Sequence, residues 1–185
     1  EKVDPHNRLL ARQERLRLDA EIIRDAALTS SGLLSQKMGG PGVYPPQPPG
    51  CMNLGQQRKT WKASSGEDRY RRAIYTYRWR ATPHPALKVF DTPDAFSCST
   101  KRLRSNTPLQ ALTLLNDPAF MEISKGLARR VIENRSGDIE RVIYGFQLCL
   151  SREPDDREVS ILEDFLRRQQ TAFETPPNET KKLLG

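Results

Sequence analysis

Histidine and cysteine, the side chains that most often carry metal-ion or nucleophilic chemistry, are scarce in this chain. Its 185 residues contain two histidines, His6 and His84, and three cysteines, Cys51, Cys98 and Cys149. The cysteines form neither a C-x-x-C pair nor a C-x-x-C-H haem-attachment signature, and no histidine lies at a spacing that would complete a zinc site. We therefore expect no metal site, no covalent haem and no other cofactor within this chain.

Long apolar runs and targeting segments are also lacking. No run of apolar residues approaches the roughly 20 that a membrane-spanning helix needs, and residues 1–7 have neither the basic start nor the apolar stretch of a secretion signal. With 36% hydrophobic and 29% charged residues, the composition is polar but not that of a disordered chain. We expect one helical domain over residues 1–173, forming part of a larger protein, and a polar tail or linker over residues 174–185.

Positive charge is concentrated in the first part of the chain. Residues 1–110 hold 19 Lys and Arg against 10 Asp and Glu, whereas residues 111–185 hold 11 against 13. Such an excess is typical of surfaces that bind nucleic acid, acidic glycans or acidic proteins, although arginine-rich faces are also often simply solvated. The charge alone does not choose between these alternatives.

Helical periodicity and capping residues predict most of the secondary structure. Apolar residues recur at helical spacing in each predicted helix, and N-caps are expected at Asn106 or Thr107, at Asp117 and at Asp155. Leu109, Leu112 and Leu115 give the second helix a short apolar face, and Cys149 falls on the apolar face of the fourth, which predicts a buried thiol. The predicted helices cover residues 13–30, 106–116, 117–134, 138–150 and 155–173.

Two segments between the first and second predicted helices follow other patterns. Residues 38–50 are Gly or Pro at nine of thirteen positions, which excludes a helix or a central strand and predicts a loop. Residues 57–81 are basic and aromatic, and their pattern fits a short strand and a helix face equally well. The sequence therefore predicts a mainly α, irregular helical domain with long Pro/Gly-rich loops and at most a short strand pair.

Arginines gather near the start of the second helix and form the candidate site. Guanidinium groups beside a helix N-terminus, where backbone N–H groups are unpaired, would bind an anion such as a sulfated or carboxylated polysaccharide. Alternatively, these arginines pair with Asp91, Asp94 or backbone carbonyls and lock a loop onto the helices. The candidate anion-binding residues are Arg71, Arg72, Arg102, Arg104, Asn106 and Gln110, with Cys98 and Thr107 beside them.

Two other kinds of site receive less support from the sequence. Cys98, His84 and Asp91 could formally supply a nucleophile, a base and an orienting acid, but isolated loop residues match such a set by chance, and we predict no catalytic residue. Asp117 resembles a carboxylate ligand, but helix capping accounts for its position before Pro118. Arginines interleaved with aromatic residues occur in single-strand nucleic-acid binding, but no nucleic-acid motif is present, so we do not expect nucleic acid as a partner.

Six segments of the chain resemble a known family. They are NRLLARQ, RLDAEIIRDAAL, GGPGVYPPQPPG, YRRAIYTYRWR, FDTPDAFSC and KRLRSNTPLQALTLLNDPAF, and they occur in the family's order between Asn7 and about Leu166. The chain resembles a planctomycete-specific domain of unknown function, of the DUF1553 type. The resemblance implies the C-terminal part of a large exported bacterial protein, in which upstream regions carry cytochrome-c-like haem domains and a sister domain. It supplies no catalytic residues.

These observations lead to two functional hypotheses. The first is a non-catalytic binding or assembly module, whose partners are the upstream domains of the same protein and an acidic polysaccharide or a redox protein. The alternative is part of a polysaccharide-active or redox enzyme whose site is shared with an upstream domain. A shared site would require an open cleft lined by His84, Asp91 and the arginines.

Overall fold

The computed structural model describes residue 4 and residues 7–11, 17–54 and 60–174. Within these residues the fold is mainly helical, and its only strand-like pairing consists of two isolated parallel bridges, Ser35 with Arg71 and Val43 with Thr76. The prediction of a mainly α, irregular helical fold with long loops is confirmed. His6 and residues 175–185 of the predicted tail lie outside the described residues.

Six α-helices and three short 3₁₀ turns make up the regular structure of the described residues. The turns cover Cys51–Leu54, Gly66–Tyr70 and Ala73–Tyr75. The helices are α1 Ala20–Ser31, α2 Pro85–Val89, α3 Pro108–Asn116, α4 Pro118–Asn134, α5 Asp138–Leu150 and α6 Asp156–Glu174. None of these helices is both long enough and apolar enough to cross a membrane.

The helix ends follow the capping residues closely. Asp117 ends α3 and also begins α4, where its carboxylate accepts a 2.9 Å hydrogen bond from the backbone N–H of Ala119. At the start of α6, Asp155 and Glu158 each accept a hydrogen bond from the other's backbone N–H, at 2.8 and 2.9 Å. These interactions satisfy N–H groups that the first turn leaves unpaired, which explains why the starts of α4 and α6 were predictable.

Helix α1 starts later than the periodicity predicts. Asp19 has extended backbone geometry and forms the N-cap, so α1 begins at Ala20, while residues 13–16 lie outside the described residues. Arg17 precedes the helix and donates a 2.6 Å hydrogen bond to the carbonyl of Ser105. This contact directs the chain toward the loop before α3 instead of continuing the helix.

The core lies where α1, α2 and α4 meet. Leu28 is fully buried, and Leu87, Phe120 and Ile123 are nearly so. Phe90, directly after α2, meets Phe120 edge to face with ring centroids 6.1 Å apart. Burying a side chain of this size contributes about 1.5–3 kcal/mol. The core therefore fixes the positions of α1 and α2, between which a cleft opens.

The basic aromatic segment is neither a regular strand nor an α-helix over its described part, residues 60–81. Instead its rings pack on the Gly/Pro-rich loop. Tyr44 stacks on Tyr77 at 5.0 Å between centroids, and the indole N–H of Trp61 donates a 2.7 Å hydrogen bond to the carbonyl of Pro45. Because prolines supply no backbone donors, ring packing and side-chain hydrogen bonds replace a sheet here.

The second half of the chain leaves much apolar surface exposed. The apolar face predicted for α3 is present but points outward, with Leu109, Leu112 and Leu115 exposed by 58%, 55% and 69%. The prediction that Cys149 is buried is wrong, since its side chain is exposed at the edge of an open groove between α4, α5 and α6. The helical pattern identifies an apolar face, but it does not determine whether another element covers that face.

Candidate functional site

The N-terminal half of α1 presents a row of carboxylates to arginines from distant loops. Glu21 accepts a 2.6 Å hydrogen bond from Arg102, and Asp25 accepts one of 2.6 Å from the backbone N–H of Ala73. Further ion pairs are longer: Arg72 lies 3.4 Å from Asp25, Arg78 lies 3.9 Å from Glu21, and Arg102 and Arg104 each lie 3.6 Å from Asp19. These pairs tie two loops to α1.

The closest of these pairs shifts the pKa values of both partners. Partial burial raises the pKa of Glu21, but the hydrogen bond and charge of Arg102 outweigh it, so the pKa lies below its ordinary value. The same hydrogen bond raises the pKa of Arg102. Both groups are therefore ionised near neutral pH.

Arg71 occupies a different place from the other predicted arginines. It is 1% exposed, lies over the Tyr75 ring at 3.8 Å, and donates hydrogen bonds to the carbonyls of Lys37, Gly39 and Pro41. The guanidinium group supplies the donors that these loop carbonyls need. Arg71 thus holds the Gly/Pro-rich loop in place and faces the interior.

Gln110 and Asn106 also have partners within the protein. Gln110 is 2% exposed, accepts a hydrogen bond from the backbone N–H of Thr107 at 3.0 Å, and donates one to the carbonyl of Val89 at 2.9 Å. Asn106 receives a long contact of 3.5 Å from Arg17. Gln110 therefore joins the start of α3 to the end of α2.

The six predicted anion-binding residues do not form one cluster. Arg72 and Arg102 line the same cleft, Arg104 and Asn106 lie beside it, and Arg71 and Gln110 are buried elsewhere. Anion binding by these residues stays a prediction, and an anion would have to compete with the carboxylates of α1.

The formal Cys98, His84 and Asp91 set is likewise dispersed. Cys98 is exposed in a loop, and the carboxylate of Asp91 accepts hydrogen bonds from the backbone N–H and hydroxyl of Ser105. These hydrogen bonds lower the pKa of Asp91. Asp91 bonds to Ser105 and His84 to the carbonyl of Pro46, so neither is hydrogen-bonded to the other or to Cys98.

A cleft of about 490 Å³ lies between α1, residues 72–78 and residues 83–92. Thr76, Tyr77 and His84 line it together with six charged side chains. The charged side chains are Asp19, Glu21, Asp25, Arg72, Arg78 and Arg102. The sequence analysis missed the three carboxylates because their arginine partners are far away in sequence, 81 residues for Glu21 and Arg102.

His84 lies between the cleft and the interior. It is 4% exposed, and its Nε2 lies 3.0 Å from the carbonyl oxygen of Pro46, which can only accept, so Nε2 carries the proton and Nδ1 is an acceptor. Burial, with the positive charge of Arg24, lowers the pKa of His84 to about 4. The imidazole is therefore neutral at pH 7.

A small cavity of about 10 Å³ lies beneath the cleft and is bordered by Arg24, Thr76 and His84. Each of these side chains has a buried polar atom without a hydrogen-bond partner among the described residues: Nε of Arg24, Oγ1 of Thr76 and Nδ1 of His84. Arg24 is 6% exposed and uses Nη2 to donate to the carbonyl of Arg69 at 3.1 Å. Burial lowers the pKa of Arg24 to about 10.

A salt bridge between Arg69 and Glu122 anchors the basic aromatic segment to α4. Arg69 donates to both oxygens of Glu122, with two contacts of 2.8 Å, and the Tyr70 hydroxyl donates to the same carboxylate. The hydrogen bond from Arg69 lowers the pKa of Glu122. This bidentate arrangement fixes the segment that leads into the cleft.

Two further surfaces are apolar. A groove of about 590 Å³ opens between α4, α5 and α6, and a shallower one of about 310 Å³ runs beside α3, bordered by Pro48, Pro85 and Val89. Among the described residues, no group of three or more His, Cys, Asp or Glu side chains is arranged to hold a metal ion. The polar cleft, the groove between α4, α5 and α6, and the α3 face are three open surfaces of the described residues.

Comparison with known proteins places the chain in a family. No curated protein and no solved structure is similar to the chain. A family model described as "PSD1: Protein of unknown function (DUF1553)" matches residues 1–166. This match covers most of the 185 residues and agrees with the segments quoted above. The chain belongs to the DUF1553 family of proteins of unknown function.

Proposed function

We propose that the chain is a non-catalytic binding or assembly module of a larger exported, haem-associated bacterial protein. The observation that carries this proposal is the exposed leucine face of α3, formed by Leu109, Leu112 and Leu115. The family resemblance supports the larger setting, including upstream domains that carry the haem. The upstream domains of the same polypeptide are the partner that we assign to this face.

The α3 face has the properties of a docking surface. The nine residues of α3 include no charged side chain, and three of its four leucines are more than half exposed. Beside them runs the 310 Å³ groove, so the face is uneven enough to receive apolar side chains. Contiguous exposed apolar surface of this kind is typical of interaction sites, and burying a leucine fully contributes about 1.5–3 kcal/mol.

The cleft beside α1 favours a second candidate, part of a polysaccharide-active or redox enzyme whose site is shared with an upstream domain. The cleft is open and includes His84 and three arginines, which such a site would require. Asp91 is absent from its lining among the described residues, and His84 is buried and neutral. An acidic polysaccharide or a redox protein would be the further partner of such a site.

The α3 proposal can be tested by binding the 185-residue chain to the remaining part of the full-length protein, produced separately. We expect Leu112→Glu to weaken binding at least about tenfold, because a charge would be buried against an apolar partner. The melting temperature should change little, since the leucine is 55% exposed. Calorimetry and a thermal melt measure the two quantities.

Leu103→Glu is the matched control, because Leu103 is 81% exposed and lies in the loop before α3. It should bind like the wild type. Equal affinities for Leu112→Glu and wild type, or no binding between the two parts at all, would contradict the proposal.

A further inference from the structure

The cleft beside α1 carries balanced charge. Its lining contains three carboxylates and three guanidinium groups, and the buried imidazole of His84 adds no charge near pH 7. A sulfated or phosphorylated ligand would gain from Arg72, Arg78 and Arg102, but it would meet the nearby carboxylates as well. Net electrostatic attraction therefore does not favour a charged ligand here.

The ion pairs inside the cleft leave hydrogen-bonding capacity unused. Arg78 lies 3.9 Å from Glu21 and Arg72 lies 3.4 Å from Asp25, whereas charge-assisted hydrogen bonds are about 2.7–2.9 Å long. Arg78 also donates to Thr92 and Pro93, at 2.7 and 3.4 Å, but these contacts use only part of its five N–H donors. A hydroxyl group donates and accepts at once, so it can bridge a carboxylate and a guanidinium. Several hydroxyl groups on one ligand could make such bridges together.

Two neutral polar groups lie buried just beneath the floor of the cleft. His84 is 4% exposed, and neither its Nδ1 nor the Oγ1 of Thr76 has a hydrogen-bond partner among the described residues. Nδ1 is an acceptor because Nε2 bonds to the Pro46 carbonyl. Both residues line the cleft as well as the small cavity beneath it.

The cleft also has apolar walls. Ile22, Ile74 and Tyr77 line it, and their side chains are exposed by 47%, 73% and 38%. Stacking on Tyr44 at 5.0 Å fixes the Tyr77 ring. Carbon-bound hydrogens of a ligand can pack against these side chains while its hydroxyl groups reach the charged ones.

We propose that this cleft binds a neutral saccharide, with hydroxyl groups bridging Glu21 and Asp25 to the arginines and with a C–H face on Ile74 and Tyr77. The volume of about 490 Å³ falls within the range of about 300–1,000 Å³ for small-molecule sites. This proposal is independent of the α3 face, so either can fail without the other.

The test is calorimetric titration of the 185-residue chain with cellobiose, xylobiose, mannobiose and lactose, and with a sulfated heparin disaccharide, at low and high salt. We expect at least one neutral disaccharide to bind, with an affinity that salt changes less than about twofold. Glu21→Gln should weaken that binding about tenfold, because it removes a charged hydrogen-bond acceptor. Ile74→Ser, at an exposed position, should weaken it severalfold without affecting folding.

Glu163→Gln is the matched control, since it breaks a comparable pair with Arg167 on α6, outside the cleft. It should bind like the wild type. The proposal is wrong if no neutral disaccharide binds at about 10 mM, a concentration that detects affinities near 1 mM. It is also wrong if only the sulfated sugar binds, or if Glu21→Gln and Ile74→Ser both bind like the control.

Discussion

At the scale of single residues, buried polar side chains hold neighbouring segments of this molecule together. Arg71 and Arg24 are almost completely buried, and each donates to backbone carbonyls of a neighbouring segment. The sequence correctly suggested that arginines could lock loops in place, and Arg71 does so through carbonyls. It could not indicate which arginines are interior, because Arg71 and the exposed Arg72 are adjacent and chemically identical.

His84 makes the stability of the fold depend on pH. Its folded pKa is about 4 against an ordinary value of 6.5, because burial disfavours the imidazolium. Between these values the unfolded chain binds a proton that the folded chain excludes, so this contribution is complete above pH 6.5 and is lost as the pH falls toward 4. We expect it to lower the free energy of unfolding by about 3 kcal/mol between pH 7 and pH 4.

Urea unfolding of the wild type and His84→Gln at both pH values measures this effect. Glutamine can still donate to the Pro46 carbonyl but does not titrate. The variant should therefore lose less stability than the wild type on acidification. Equal losses in the two proteins would show that His84 does not exclude a proton in the folded state.

At the scale of elements, two glycines in neighbouring helices predict opposite responses to alanine. A Cβ at Gly126 in α4 would lie 2.7 Å from Cδ1 and 3.0 Å from Cγ of Leu33, whereas one at Gly145 in α5 would lie 3.6 Å from Val131. Alanine in a helix interior is favoured over glycine by about 1 kcal/mol. Gly145→Ala should raise the free energy of unfolding by about that amount.

Gly126→Ala should lower the free energy of unfolding by about 1 kcal/mol or more, because displacement of Leu33 outweighs the gain in helix propensity. Chemical denaturation of both variants measures the two changes, and each serves as the control for the other. Stabilisation by both substitutions would mean that α4 does not approach Leu33 this closely.

Helices α3, α4 and α6 were predictable because their start signals are local. Pro108 and Pro118 lie in first turns, and Asp117 and Asp155 cap the helices that follow them. The cleft was not predictable, because its ion pairs join residues up to 83 positions apart, as Asp19 and Arg102 do. Charge and periodicity give each element its chemistry, but the pairing of distant elements depends on packing in three dimensions.

At the scale of the whole molecule, the described residues differ in burial along the chain. Helices α1 and α4 supply residues of the main core, whereas no residue of α5 is fully buried, and Ile161 and Phe165 of α6 are more than half exposed. Regions with little buried apolar surface open at lower free energy. The α5–α6 hairpin is therefore expected to be the less stable part.

Hydrogen exchange measured by mass spectrometry in increasing denaturant tests this expectation. Backbone amides of residues 156–174 should lose protection at lower denaturant than those of residues 20–31. Loss of protection in both regions at the same denaturant concentration would instead mean that the described chain unfolds as a single unit.

Asp117 links the surface of the molecule directly to its core. This single residue ends α3 and caps α4, whose Phe120 and Ile123 are buried. With no flexible linker between the two helices, α3 cannot rotate without changing the backbone of Asp117 and breaking its bond to Ala119. A partner bound to α3 would therefore also restrain α4, and a force applied to α3 would be transmitted directly to the hydrophobic core.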